Sequence, residues 1–252
     1  MKKTVFITGA SSGFGKACAE KFASAGYNLI INARRADRLH ELEKTLYEEY
    51  GVKILSLVFD VQDKEAVNTA IHQLPAEWHN IDILINNAGL ALGRDFFEEA
   101  DMRDWETMID TNVKGLLYVS RAVLPFMVKR QKGHLINIGS TAGKEVYDKG
   151  NIYCASKHAV DAISKAMRID LLRHNLKVTA VHPGAADTEF SIVRFKGDKT
   201  KANAVYDGFQ PLSAADVADA VFYCASLPDH VCINELVMTS LQQANSFYFN
   251  RK

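Results

Sequence analysis

Short apolar runs alternate with longer amphipathic stretches along the chain. Apolar runs at residues 4–8, 28–33, 53–60, 81–86, 133–138, 177–182 and 234–239 predict strands. Several are apolar almost throughout, as in Ile54-Leu55-Ser56-Leu57-Val58-Phe59. That pattern belongs to strands covered on both faces, as in a parallel sheet. Between them, residues 14–25, 36–50, 64–74, 105–130, 152–174 and 214–226 carry helical spacing. Regular alternation predicts βαβ units and an α/β, Rossmann-like doubly wound sheet of about seven parallel strands with helices on both faces. Right-handed crossovers put every strand's carboxyl end on one edge, and ligands bind there at the topological switch point. No linker, repeat or low-complexity segment interrupts the pattern, so residues 1–252 are expected to form a single domain. Residues 185–211 are less regular and more polar, with a turn signal at Lys196-Gly197-Asp198-Lys199. Such an insertion after a strand is expected to be a substrate loop or lid, although a solvated linker reads the same way.

Composition narrows the function classes. Hydrophobic residues make up 48% and charged residues 24%, which suits a folded core. Lys plus Arg and Asp plus Glu both number 30, and zero net charge argues against a nucleic-acid partner. No apolar run approaches the roughly 18 residues of a membrane span. The apolar stretch after Met1-Lys2-Lys3 is too short for a signal peptide, so a cytoplasmic location is expected. Cys18, Cys154, Cys224 and Cys232 form no CxxC pair and are expected to be free thiols in a reducing compartment. The eight histidines show no ligand spacing such as HExxH, and no metal site is expected.

Candidate chemistry starts at the first strand, which runs into Thr8-Gly9-Ala10-Ser11-Ser12-Gly13-Phe14-Gly15. A glycine triplet alone can serve packing. Between a first strand and a helix, Gly9, Gly13 and Gly15 with Ser11, Ser12 and Phe14 form a turn that admits a dinucleotide pyrophosphate at the helix N-terminus. The second strand ends in Arg34-Arg35, with no carboxylate before Asp37 to hold a ribose 2′-hydroxyl. Paired guanidiniums suit a 2′-phosphate, so the expected cofactor is NADP(H). Arg38 is expected on the solvent side of the following helix. Asp60-Val61 and Asn87-Ala88-Gly89 end the third and fourth strands on the same edge; each could be a plain turn or could line the adenosine.

Tyr153 and Lys157 stand at i and i+4 and share a helix face. Such pairs are common by chance, but a nearby ammonium would lower the phenol pKa and make Tyr153 an acid/base. Ser140 lies just past the fifth strand, where its hydroxyl could orient a reacting oxygen. Asn112 falls inside the long predicted helix, facing solvent or holding a relay water. Pro183-Gly184 follows the sixth strand, where a loop could meet a nicotinamide.

Together, Thr8 to Gly15, Asn86 to Gly89, Asn112, Ser140, Tyr153, Lys157 and Pro183-Gly184 resemble the short-chain dehydrogenase/reductase family, over essentially the whole chain. The resemblance implies a Ser–Tyr–Lys–Asn tetrad. Tyr153 would be the acid/base, Ser140 the orienter, Lys157 the pKa depressor and nicotinamide-ribose ligand, and Asn112 the anchor of a relay water. Residues 74–78, 86–93, 104–112, 136–143, Thr188-Glu189-Phe190-Ser191 and 193–198 further resemble the NADP-dependent 3-hydroxy acid dehydrogenases acting on serine and L-allo-threonine. That implies oxidation of the 3-hydroxyl of a small hydroxy or amino acid, and adds Thr188 to the cofactor-binding residues. Arg194 is the candidate cation for the substrate carboxylate, and Tyr147 a candidate pocket residue. The family implies a homotetramer or homodimer through the helices carrying Asn112 and Tyr153. Departures are the short loop 183–188, the Glu145 charge and the aromatic tail Phe247-Tyr248-Phe249, which could join an interface or be disordered. Glu145 facing the pocket would favour neutral or cationic substrates. A broad carbonyl reductase and a non-catalytic NADP-binding protein are the alternatives. The second of these typically loses a tetrad member.

Overall fold

The computed structural model describes residues 2–252. Strand β1 (Thr4–Thr8) turns through the glycines into α1 (Gly13–Ser24), followed by β2 (Asn28–Ala33), α2 (Ala36–Tyr50), β3 (Ile54–Val58) and α3 (Lys64–His72). Then come β4 (Ile81–Asn86), α4 (Met102–Ile109), a π-helical turn (Asp110–Gly115), α5 (Leu116–Arg130) and β5 (Gly133–Ile138). The chain continues through α6 (Asn151–Leu171), β6 (Leu176–Pro183), α7 (Glu189–Arg194), α8 (Lys199–Ala204), α9 (Ala214–Ser226) and β7 (Glu235–Met238). All seven strands are parallel, in the order β3-β2-β1-β4-β5-β6-β7. The order reverses between β1 and β4, which opens the crevice where α/β folds bind ligands.

Strand residues alternate between two cores because successive side chains point to opposite faces. Val5 and Ile7 pack with Phe22, Leu39 and Val221 on the α1–α2–α9 face. Phe6 and Ile30 pack with Val67, Val123 and Met127 on the α3–α5 face. Both faces are therefore apolar, which is why the strands read as continuous runs. Helix starts are marked by local chemistry. The Asp63 carboxylate accepts from Glu65 and Ala66 N–H at 3.0 Å, and Ser213 with Asp216 forms a capping box on α9.

The structure departs from the sequence expectation in several places. β3 stops at Val58 because the Asp60 side chain accepts from Gln62 N–H at 3.0 Å and its carbonyl from Asp63 N–H at 3.1 Å, forming a turn. The single helix expected at 105–130 is α4 and α5 joined by the π turn. Residues 185–211 contain two short helices, and a parallel bridge between Ala186 and Leu212 closes the segment at its base. The C-terminal tail folds back on its own chain: Asn250 N–H donates to Gln242, and the Phe249 ring lies 4.9 Å from Phe209. No helix among the described residues is long and apolar enough to cross a membrane.

Candidate active site

A cleft of about 910 Å³ opens on the carboxyl edge of the sheet, within the usual size for a cofactor and small substrate. Every candidate from the first strand turn lines it except Gly15; so do Arg34, Arg35, Asp60, Val61, the 87–89 loop, Pro183, Gly184 and Thr188. Ser140, Tyr147, Tyr153, Lys157 and Arg194 line its other end. Gly15 and Asn112 are buried just behind the wall.

At the nucleotide end, Gly9 and Gly13 have φ of +67° and +52°, a region that disfavours any side chain. A Cβ on Gly15 would overlap the Gly9 carbonyl. The Asn87 amide donates to the Thr8 carbonyl at 2.8 Å, and the Thr8 hydroxyl accepts from Asn87 and Ala88 N–H, both at 3.0 Å. These bonds lock the β4 loop against the glycine turn. Ser12 starts α1 without a side-chain cap, which leaves the first helical N–H groups for an incoming anion. Arg35 donates to the hydroxyls of Ser11 and Ser12 at 3.0 Å, and Arg34 to Asp60 at 3.3 Å. Two guanidiniums and two hydroxyls grouped beside a glycine turn fit a dinucleotide with a 2′-phosphate. Arg38 is exposed, on the solvent side of α2 as expected, and from there its guanidinium meets the Glu189 carboxylate at 2.7 Å.

At the reaction end, Ser140 starts a 3₁₀ turn after β5, and its oxygen accepts from Ala142 N–H at 3.1 Å. Tyr153 and Lys157 occupy successive turns of α6. The Lys157 ammonium donates to the Ile138 carbonyl at 2.9 Å, and burial lowers its pKa to about 8. Burial, with the neighbouring Tyr147, raises Tyr153 above the ordinary phenol value, while Ser140 and the Arg194 guanidinium partly oppose the rise. Lys157 is held by the Ile138 carbonyl, one helical turn beyond Tyr153 on α6.

Asn112 lies in the π turn, fully inside the protein. Its oxygen accepts from Leu90 N–H at 2.8 Å; its amide donates to the Leu90 carbonyl at 2.8 Å and to Ser156 at 3.0 Å. A widened turn of this kind inside a helix is frequent at functional sites. The side chain does not face solvent; both of its N–H groups are bonded, and it pins the loop after β4 to α6.

Arg194 and Tyr147 come together beside Tyr153. The guanidinium donates to the Tyr147 hydroxyl at 2.9 Å and the Gly93 carbonyl at 3.2 Å. It lies 5.5 Å from both tyrosine ring centres, and its Nη2 has no protein partner among the described residues. Phe190, which sequence reasoning missed, packs its ring 5.6 Å from Tyr153. Arg94 and the tail residues Ser246, Phe249 and Arg251 also line the cleft, and nothing in their local sequence signals it.

A charged cluster backs the Ser140 loop. Lys144 pairs with Asp161 and Glu235, each at 2.7 Å, and His182 approaches Asp161 at 3.5 Å and the Ser140 carbonyl at 3.3 Å. Burial and the Lys144 charge lower His182 to about 4, so it is neutral at neutral pH. Glu145 does not face the cleft: its carboxylate accepts from Ser246 N–H at 2.9 Å. The short 183–188 loop is equally occupied, with Ala185 N–H donating to the Gln243 side chain at 2.8 Å.

This fold and this side-chain set define an oxidoreductase class. The sequence model described as short chain dehydrogenase matches residues 3–199, and the chain belongs to that family. Among individual proteins, it is 46% identical over 241 residues to an NADP-dependent 3-hydroxy acid dehydrogenase of Salmonella typhi, covering 95% of this chain and 96% of that one. A sulfoacetaldehyde reductase of Chromohalobacter salexigens is 43% identical over 249 residues, 98% of each chain. The closed form of a serine dehydrogenase complexed with NADP⁺ superposes with a TM-score of 0.92 at 45% identity, covering 99% of both chains.

Proposed function

We propose that this protein is an NADP(H)-dependent oxidoreductase interconverting an alcohol and a carbonyl on small anionic substrates, foremost the 3-hydroxyl of 3-hydroxy acids and amino acids such as serine and L-allo-threonine. One observation carries the substrate class: a guanidinium with a free edge, Arg194, stands beside the Tyr153 ring. The similarity to a 3-hydroxy acid dehydrogenase, a sulfoacetaldehyde reductase and a serine dehydrogenase supports the same class.

In this reading Gly9 to Gly15 hold the pyrophosphate, and Arg34 and Arg35 grip the 2′-phosphate. Asp60, Val61 and Asn87 to Gly89 flank the adenosine, and Pro183, Gly184 and Thr188 border the nicotinamide end. Bound NADP(H) supplies or accepts the hydride. The Ser140 hydroxyl donates a hydrogen bond to the reacting oxygen and fixes its position. Tyr153 takes the alcohol proton during oxidation and returns it during reduction. Its raised pKa suits the donor role; Lys157, still largely an ammonium below pH 8, holds a ribose and balances the tyrosinate that results. Asn112 fixes the loop after β4 against α6, and its side-chain oxygen keeps capacity to anchor a relay water. Residues 185–211 form the substrate segment, with Arg194 and Tyr147 binding the anion. Four free thiols suit a reducing cytoplasm. Exposed Leu117 on α5, with Ile169 at the end of α6 and Leu172 just past it, supports assembly through these helices into a dimer or tetramer.

The test is a set of initial rates with NADP⁺ and NAD⁺ on L-serine, L-allo-threonine, 3-hydroxybutyrate and 3-hydroxypropionate, beside NADPH oxidation with neutral aldehydes and ketones. Turnover of the acids with NADP⁺ preferred is expected. Activity confined to neutral carbonyls would leave the tetrad standing and remove the anionic substrate.

A further inference from the structure

Glu189 is the first residue of α7, and two arginines of the nucleotide end share it. Its carboxylate accepts from Arg35 at 3.1 Å and from Arg38 at 2.7 and 3.0 Å. Partial burial raises its pKa, and the two guanidiniums more than offset that, holding it below the usual carboxylate range. Arg35 turns its remaining N–H groups to the Ser11 and Ser12 hydroxyls. A 2′-phosphate arriving among Ser11, Ser12 and Arg35 therefore meets a guanidinium already shared with another anion.

The other end of the same helix is anchored at the reaction centre. Arg194, the last residue of α7, bonds Tyr147 and Gly93, and Phe190 packs against Tyr153. A helix of six residues spans about 9 Å at 1.5 Å per residue. One short, stiff element thus has its first residue at the phosphate site and its last at the substrate site. Arg38 holds the same carboxylate by two bonds of its own.

We propose that Glu189 is a specificity-determining link between the two ends of the cleft. The 2′-phosphate and the Glu189 carboxylate compete for Arg35, Arg38 retains the carboxylate, and the anchorage of α7 depends on whether the bound nucleotide carries a 2′-phosphate. Glu189 thereby opposes phosphate binding and, in the same contact, reports it to Phe190 and Arg194. This rests on the NADP(H) reading above.

Two adenosine nucleotides isolate the effect without turnover: 2′,5′-ADP, which carries the 2′-phosphate, and 5′-AMP, which lacks it. Binding is measured by calorimetry, and amide hydrogen exchange is followed over residues 189–195. Both use the intact protein at low ionic strength, where half-exposed ion pairs are least screened. At saturation, 2′,5′-ADP is expected to change exchange in α7 beyond any change 5′-AMP produces. In Glu189→Gln the two nucleotides are expected to give the same pattern. The same variant should bind 2′,5′-ADP roughly two- to fivefold more tightly, the scale of an exposed ion pair, with 5′-AMP unchanged. Equal exchange responses to both nucleotides in the wild type would overturn the link, as would an unchanged 2′,5′-ADP affinity in the variant. If 2′,5′-ADP binds the wild type no better than 5′-AMP, the NADP(H) reading itself fails and the link falls with it.

Discussion

The two ends of the cleft are built on different principles. The nucleotide end is mostly backbone: glycines with no room for a Cβ, strand ends in fixed register, and Thr8–Asn87 bonds between adjacent loops. The substrate end is mostly side chains from segments far apart in sequence. Tyr147 follows β5, Arg194 ends α7, and Ser246 and Arg251 come from the tail. Backbone geometry is a property of the fold, so the first end defines the class. Side chains can be exchanged without disturbing the sheet, so the second end sets the substrate. Tyr153 sits where the two meet.

The largest expected effect is at that junction. Tyr153→Phe removes the hydroxyl that exchanges a proton with substrate, and turnover should fall by about 10²–10⁴-fold. The ring stays packed against Phe190, so NADP(H) binding, followed by cofactor fluorescence, should be retained. Unchanged turnover would remove Tyr153 from the chemistry.

Arg194→Gln tests the side-chain end alone. A hydrogen bond to a charged group is worth about 1.5–3 kcal/mol, so KM for a carboxylate substrate should rise about 10- to 150-fold. KM for NADP(H) and rates with neutral carbonyls should change little. Equal losses on neutral and anionic substrates would mean that Arg194 supports the Tyr147 ring and binds no anion.

Gly15→Ala tests the backbone end. The added methyl would overlap the Gly9 carbonyl and the Asn87 amide, and backbone cannot give way as a side chain can. Overpacking of this kind costs about 1–3 kcal/mol, which thermal unfolding would register as a lower Tm, and NADP(H) affinity should fall with it. Loss of substrate affinity with cofactor binding intact would break the division between the two ends.

That division also explains what the sequence made legible. The glycine turn, Arg34-Arg35 and the strand order follow from local spacing, because each motif sits at a strand end whose place the βαβ rule fixes. Tyr153 and Lys157 are legible for the same reason, one turn apart on one helix. Asn112 is legible as a candidate, but its setting is not. A π turn has no sequence mark that distinguishes it from a continuous helix, and it takes the Leu90 backbone and the Ser156 hydroxyl to explain why an asparagine is buried there. Arg38 lies on the solvent side, as helical periodicity predicts, but periodicity does not show the carboxylate 151 positions away that it meets there. Phe249 and Arg251 meet the cleft only because the tail folds back, a long-range event that local pattern does not encode.

Glu145 gives the smallest effect and the sharpest check on the substrate end. By sequence it stands near the pocket, where its charge would repel an acid. In the fold it faces away, accepting from Ser246 N–H and so holding the tail against the loop after β5. Glu145→Gln keeps an oxygen to accept that bond and removes only the charge. Stability should change by at most about 1 kcal/mol, the net worth of one such hydrogen bond. The ratio of kcat/KM for 3-hydroxybutyrate to that for a neutral ketone should stay within about twofold, or about 0.4 kcal/mol, since Glu145 does not line the cleft and its charge is screened. A large shift of that ratio toward the acid would show that the Glu145 charge reaches the substrate, and that the tail leaves it free to do so during turnover.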